Sequence, residues 1–251
     1  MNFKIEKAVR QAREFFSVEK YPSNFFELID RNDNYIEEYG MFLFKEDLHK
    51  LSGFIGYTED NRVAICINYN RPIGHQNFTL AHEVGHWFLH RGQSISDTHE
   101  STNIWVGNTI ETEANEFAKE LLYPEELATE DYLMIVNNGL LDQLKRKELG
   151  EQINLLCHKY CLSFEMVLRR ILYKAYRAHE YNMIKKQIEK AIGSNISLYF
   201  DEDFYRPNND NPLYQRYMKP YEELSKNIHK LEEAKEIGVA TAESILCKYD
   251  L

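Results

Sequence analysis

A chain of 251 residues accommodates one large domain, or one domain with an appendage. Apolar residues at 43% and aromatics at 13% supply a core and exclude global disorder, while a net charge of −10 repels phosphate backbones and disfavours direct DNA binding. No apolar run reaches membrane-span length, Met1 to Lys7 carry no signal-peptide core, and Cys66, Cys157, Cys161 and Cys247 form no Cys-x-x-Cys pair, so the sequence predicts a cytoplasmic protein with reduced, mostly buried thiols.

In chain order, Ile5, Ala8, Val9, Ala12, Phe15 and Phe16 recur at helical spacing. Tyr21-Pro22 interrupts them, and a second helix is expected from Pro22 with Phe25, Phe26, Leu28 and Ile29 inward; Gly40 closes this region. Two short apolar runs follow, Met41 to Phe44 and Gly53 to Tyr57. Beyond the turn residues 58–61, Val63, Ile65, Ile67 and Tyr69 alternate with Ala64, Cys66 and Asn68. This predicts an antiparallel hairpin. Helices are predicted over about 77–91, stopped by Gly92, and over about 109–123, ended by Pro124, with a polar loop between. Beyond Pro124 the chain reads as helical. Residues 150–173 have a helix–turn–helix rhythm, 195–214 are irregular, and 221–249 form one or two charged amphipathic helices.

His82-Glu83-Val84-Gly85-His86 carries the chemistry. Histidines at i and i+4 share a helical face and can hold one ion. Zinc suits neutral imidazole, with manganese or iron as alternatives. A glutamate beside the first histidine can act as general base. Trp87, Leu80, Val84, Phe88 and Ala81 take the opposite arc of the wheel, so this helix packs on one side and presents histidines on the other. Gly85 costs helix propensity and points to a close approach by another element. The metzincin pattern needs glycine at 89 and histidine at 92; Leu89 and Gly92 exclude it. A glutamate is therefore the expected third ligand. Glu111 and Glu113 point about 160° apart on the next helix. Glu111 shares the apolar arc with Asn115, Ala118 and Leu122, where a carboxylate needs a partner such as a metal. Glu111 is preferred, Glu113 is the alternative, and Asn115 is expected to support a histidine ligand. Glu113, beside Glu116 and Glu120, otherwise reads as a solvated charge.

Two blocks carry a resemblance. Asn77-Phe78-Thr79-Leu80-Ala81-His82-Glu83-Val84-Gly85-His86-Trp87-Phe88-Leu89-His90 and Ile110-Glu111-Thr112-Glu113-Ala114-Asn115-Glu116-Phe117-Ala118-Lys119-Glu120-Leu121-Leu122-Tyr123-Pro124 resemble the ImmA/IrrE metallopeptidases, with Tyr123 standing where the family often has methionine. The resemblance covers roughly residues 40–175. It implies an α+β, zincin-like fold with a small antiparallel sheet and a helical C-terminal region. It also implies zinc on His82, His86 and a glutamate, Glu83 as the catalytic group, and a helix–turn–helix transcriptional repressor as the protein substrate. The expected division is a peptidase domain over 1–180, with a core at about 40–135 and a helical region at about 139–175, then a helical extension over 181–251.

His90 continues the histidine stripe and is a candidate to orient substrate, with a structural hydrogen-bonding role the favoured expectation. His99 is a candidate donor to the oxyanion of a tetrahedral intermediate. Trp105 and Tyr132 are candidates for lining the cleft. Two further readings compete with catalysis: a zinc-binding module that sequesters a repressor uncut, and a DNA-binding regulator using Lys159, Arg169 and Arg170.

Overall fold

The first helix forms because Asn2 caps it and its apolar stripe has a surface to cover. The Asn2 Oδ1 accepts from the Lys4 N–H at 3.0 Å, and Ile5, Ala8, Val9 and Ala12 are buried along α1 (Phe3–Phe15). The computed structural model describes residues 2–30, 41–57, 62–91, 104–173, 178–200, 203–206, 219–235 and 238–248. Helix α2 (Phe25–Asp30) starts three residues after Pro22, because Asn24 accepts from the Phe26 N–H there. Gly40, the 58–61 turn and Gly92 lie outside the described residues.

Strands β1 (Met41–Glu46), β2 (Gly53–Tyr57) and β3 (Val63–Asn68) make one sheet of order β1-β3-β2. The expected hairpin is present: β2 runs antiparallel to β3, with Gly53 opposite Ile67 and Tyr57 opposite Val63. The expectation of a wholly antiparallel sheet is corrected by β1, which pairs parallel to β3, Met41 opposite Val63 and Glu46 opposite Asn68. The hairpin occupies one edge of β3, so β1 takes the other, and the connection crosses the end of β3. There the Asn68 side chain donates to the Leu51 carbonyl at 2.7 Å and fixes the crossing. Central β3 is covered on both faces, with Val63, Ile65, Cys66 and Ile67 buried.

Beneath the sheet lies α3 (Ile73–His90), which packs against β2, β3, α1, α2 and, most extensively, α4 (Ile104–Leu122). Both helices start earlier than their sequence pattern indicates. Pro72 caps α3, and a Cβ at Gly74 would meet the backbone of Leu162 and Ser163 at 2.6–2.7 Å, so this first turn needs glycine. Asn77 is wholly buried. Its Oδ1 accepts from the Phe25 N–H at 2.8 Å and its Nδ2 donates to the Cys161 carbonyl at 2.9 Å, tying three segments together. The apolar back of α3 meets an aromatic cluster in which Phe15 lies 5.4 Å from Trp87 and Phe88 stacks on Phe117 at 6.1 Å.

Pro124 ends α4 and caps α5 (Glu125–Asn137). Tyr123, the departure from the family pattern, stacks on Tyr160 at 4.0 Å, and both hydroxyls donate to the buried Asp131 carboxylate. Helices α6 (Arg146–Tyr160) and α7 (Phe164–Leu172) meet at a tight turn in which Cys161 is left-handed (φ 49°) and Ser163 caps α7. Helix α8 (Ala178–Ile192) lies across α6, where Ile188 would be only 2.7 Å from a Cβ on Gly150. The expected division at residue 180 falls within this helix. A short α9 (Ile196–Phe200) follows, and the charged tail forms two helices packed on each other, α10 (Lys219–Glu233) and α11 (Val239–Lys248). Among the described residues no helix is long and apolar enough to cross a membrane, and all four cysteines are free thiols, three of them buried.

Candidate metal centre

Helical geometry places His82 and His86 one turn apart on α3, and their Nε2 atoms face each other at 3.0 Å. The third group comes from α4. The Glu111 carboxylate reaches His82 Nε2 at 3.1 Å and His86 Nε2 at 3.3 Å. Among the described residues, this trio is the one group of three or more histidine, cysteine or carboxylate side chains able to share an ion. The donor set fits a divalent cation. Bonds of about 2.0–2.1 Å in tetrahedral array put ligand atoms about 3.3 Å apart, close to the spacings here.

Electrostatics agree with the geometry. Hydrogen bonding to His82 and His86 holds the Glu111 carboxyl well below the usual carboxylate range. Burial works against a charged His82 ring, yet the hydrogen bond to Glu111 and the charges of Glu83 and Glu111 raise its pKa. Glu83 itself is buried, and its charge is felt at Tyr57 of β2 and Cys66 of β3. Burial, with Glu46 and Glu83 adding to it, pushes the Cys66 thiol up to about 12.

Close approach of α3 and α4 depends on Gly85. A Cβ there would lie 2.9 Å from the Phe117 ring and 3.3 Å from the Ala114 Cα, one turn from Glu111. The glycine that weakens the helix locally is what lets the carboxylate reach the histidines.

Outside the trio, the Asn115 Oδ1 lies 3.1 Å from His82 Nδ1. His90 is buried, and its Nδ1 lies 3.0 Å from His86 Nδ1. Glu113 takes no place in the trio. Its carboxylate is 3.0 Å from His90 Nε2 and 2.6 Å from Lys4 Nζ, and these two partners, Lys4 first, lower its pKa. The reading of Glu113 as a solvated charge is corrected, because α1 brings Lys4 over that face of α4. Glu120, expected toward solvent, is buried against Arg170 for a similar reason: α7 covers it. His99 and the Trp105 side chain lie outside the described residues, and Tyr132 packs against the core. No signal in the sequence ties Lys4 to this site, since the contact joins residues 109 positions apart.

The three cations of the helix–turn–helix-like region are engaged within the fold. Lys159 meets Asp131 at 3.4 Å, Arg169 meets Glu165 at 2.5 Å, and Arg170 binds Glu120 and Glu125.

An α+β chain with a His–His–Glu cluster across two packed helices carries the donor set of a divalent-metal site. Comparison with known proteins makes this specific. Residues 36–172, more than half of the chain, match the Peptidase_M78 family model, described as the IrrE N-terminal-like domain. The chain is 27% identical to Metallopeptidase ImmA of Bacillus subtilis (strain 168) over 90 residues, which are 36% of this chain and 52% of that protein, so the match spans about half of that relative. It is 31% identical over 114 residues to the uncharacterized immunity region protein 2 of Bacillus phage phi105, covering 42% of this chain and 71% of the phage protein. The chain belongs to the ImmA/IrrE family of metallopeptidases. No solved structure matches it.

Proposed function

We propose that this chain is a zinc-dependent metallopeptidase of zincin-like fold that hydrolyses a peptide bond in a regulatory protein of the cytoplasm, a helix–turn–helix transcriptional repressor. The observation that carries the reading is the convergence of His82, His86 and Glu111 within hydrogen-bonding distance of one another, with Glu83 the residue after His82. His82 and His86 would hold the ion through Nε2 and Glu111 through a carboxylate oxygen. When bound, the ion supplies Lewis acidity that makes a neighbouring water a nucleophile near neutral pH. Glu83 takes the proton from that water and then passes it to the leaving amine. Asn115 accepts from His82 Nδ1–H, which turns the His82 Nε2 lone pair into the cluster. The peptidase unit is assigned to residues 1–180, with 181–251 as a helical extension. A relative from a phage immunity region supports a substrate among regulators of gene expression.

The test compares cells expressing wild type with cells expressing Glu83→Gln, by proteome-wide mapping of new protein termini. The substitution keeps the ligands and removes the base. A terminus that appears with wild type alone establishes the peptidase and identifies its substrate. No difference in termini, with both forms holding zinc and capturing the same intact partner, replaces the peptidase by the sequestering module.

A further inference from the structure

The His86 ring is gripped from both sides. Its Nε2 faces His82 and Glu111, and its Nδ1 faces a second imidazole, Nδ1 of His90, at 3.0 Å. Two ring nitrogens at that distance share one proton, so one donates and the other accepts. If His86 Nε2 offers its lone pair to a metal, its proton sits on Nδ1 and His90 Nδ1 is the acceptor. A neutral His90 then carries its own proton on Nε2, and that atom points at Glu113 Oε2 at 3.0 Å. A carboxylate oxygen only accepts, so this contact has its donor and acceptor correctly placed. The same oxygen takes a further hydrogen bond from Lys4 Nζ at 2.6 Å. From Lys4 to the cluster every contact then has one donor and one acceptor, and the other neutral tautomer of His90 would set two N–H groups against each other.

We propose that His90, Glu113 and Lys4 form a positioning relay that holds His86 as its Nδ1–H tautomer and so aims its Nε2 lone pair into the metal centre. The inference rests on the metal reading above. The relay runs outward from a dry end to a wet one: the side chains of His90, Glu113 and Lys4 are 1%, 18% and 47% exposed. His82 has a single Asn115 oxygen in the equivalent place, whereas His86 is oriented by a carboxylate through an intervening ring. Lys4 stands in the first turn of α1, which packs on both α3 and α4. The N-terminal helix thereby takes part in building the metal centre. A half-exposed lysine–glutamate pair contributes little to fold stability, so loss of Lys4 should register in metal affinity and leave the melting temperature of the metal-free chain nearly unchanged, whereas loss of Glu113 also strands the buried His90 Nε2–H and lowers it modestly.

The experiment uses the full chain and Zn2+ alone, in competition with a chromogenic chelator, with melting of the metal-free protein measured alongside. Glu113→Leu is expected to weaken zinc binding by about 10- to 100-fold, the range found when a supporting partner of a ligand is removed. His90→Leu should lose at least as much. Glu113→Gln keeps an acceptor for His90 Nε2–H and should lose less, and Lys4→Met should fall in the same direction by a smaller factor. Long-range 15N NMR of the zinc-loaded chain should find His86 protonated on Nδ1 and His90 on Nε2. If His90→Leu fails to fold, Glu113→Leu decides alone, since its side chain borders solvent. Wild-type zinc affinity in a folded Glu113→Leu, or His90 protonated on Nδ1, overturns the relay and leaves the metal reading standing. A wild type that binds no zinc overturns the metal reading and the relay with it.

Discussion

Gly85→Ala is the most informative single change. The added Cβ would sit 2.9 Å from Phe117 Cδ1 and 3.3 Å from Ala114 Cα, where carbon contacts ordinarily settle at about 3.5–4.0 Å. Phe117 is fully buried in a close-packed core and the Ala114 contact is backbone, so α4 is expected to back away by roughly half an ångström. Overpacking of this kind costs about 1–3 kcal/mol, and the better helix propensity of alanine returns about 1 kcal/mol. The expected net loss of stability is therefore small, about 1 kcal/mol. Metal binding should suffer more. Glu111 lies one turn from Ala114 and now stands 3.1 and 3.3 Å from the two Nε2 atoms, and a shift of about 0.5 Å exceeds what a preorganised site tolerates. We expect zinc affinity to fall by about tenfold or more with little change in melting of the metal-free chain. Phe117→Leu should make room for the methyl group, so the double variant should bind zinc better than Gly85→Ala alone, a coupling readable in a double-mutant cycle. A Gly85→Ala variant at least as stable as wild type, with unaltered zinc affinity, would refute the argument that this contact sets the helix spacing.

The remaining predictions concern stability. Asn77→Ala strands the Phe25 N–H and the Cys161 carbonyl in the core and should cost about 2–4 kcal/mol in denaturant unfolding; a loss below about 0.5 kcal/mol would show that these groups find other partners. Lys45 of β1 is 1% exposed, with its ammonium 4.1 Å from the centre of the Phe26 ring, and burial presses its pKa from 10.5 down to about 8. The unfolded chain thus binds the extra proton between pH 8 and 10.5, and the folded state bears the full penalty below pH 8 and none above 10.5. Lys45→Met should gain about 1–3 kcal/mol at pH 7, with the gain fading toward pH 10.5; a gain independent of pH would disprove the cause. Zinc at a hundredfold excess over its Kd should stabilise the wild type by about 2.7 kcal/mol, or roughly 5–10 °C in Tm, and the shift should vanish in His86→Ala.

The local part of this protein is legible in its residues. The helical period alone puts His82, Glu83 and His86 on adjoining positions of one helix, and the stripe Ile5-Ala8-Val9-Ala12 declares the buried face of α1. Gly85 announces a close neighbour without naming it. Helix starts are less legible: Ile73-Gly74-His75-Gln76 lacks a helical pattern, and its glycine is demanded by the α6–α7 turn far away in sequence.

Longer-range choices are made by packing. Which carboxylate approaches the histidines depends on the rotation and spacing of α4 against α3, set where Phe117 and Ala114 meet Gly85. The other glutamate turns instead toward His90 and a lysine from the N-terminal helix. Strand order is decided the same way, since nothing in Met41 to Phe44 states which edge of β3 it will find. The motif is written within five consecutive residues because a helix fixes neighbours one turn apart by its own hydrogen bonds. The partners of that motif arrive from segments dozens of residues away, and only the shape of the filled core brings them together.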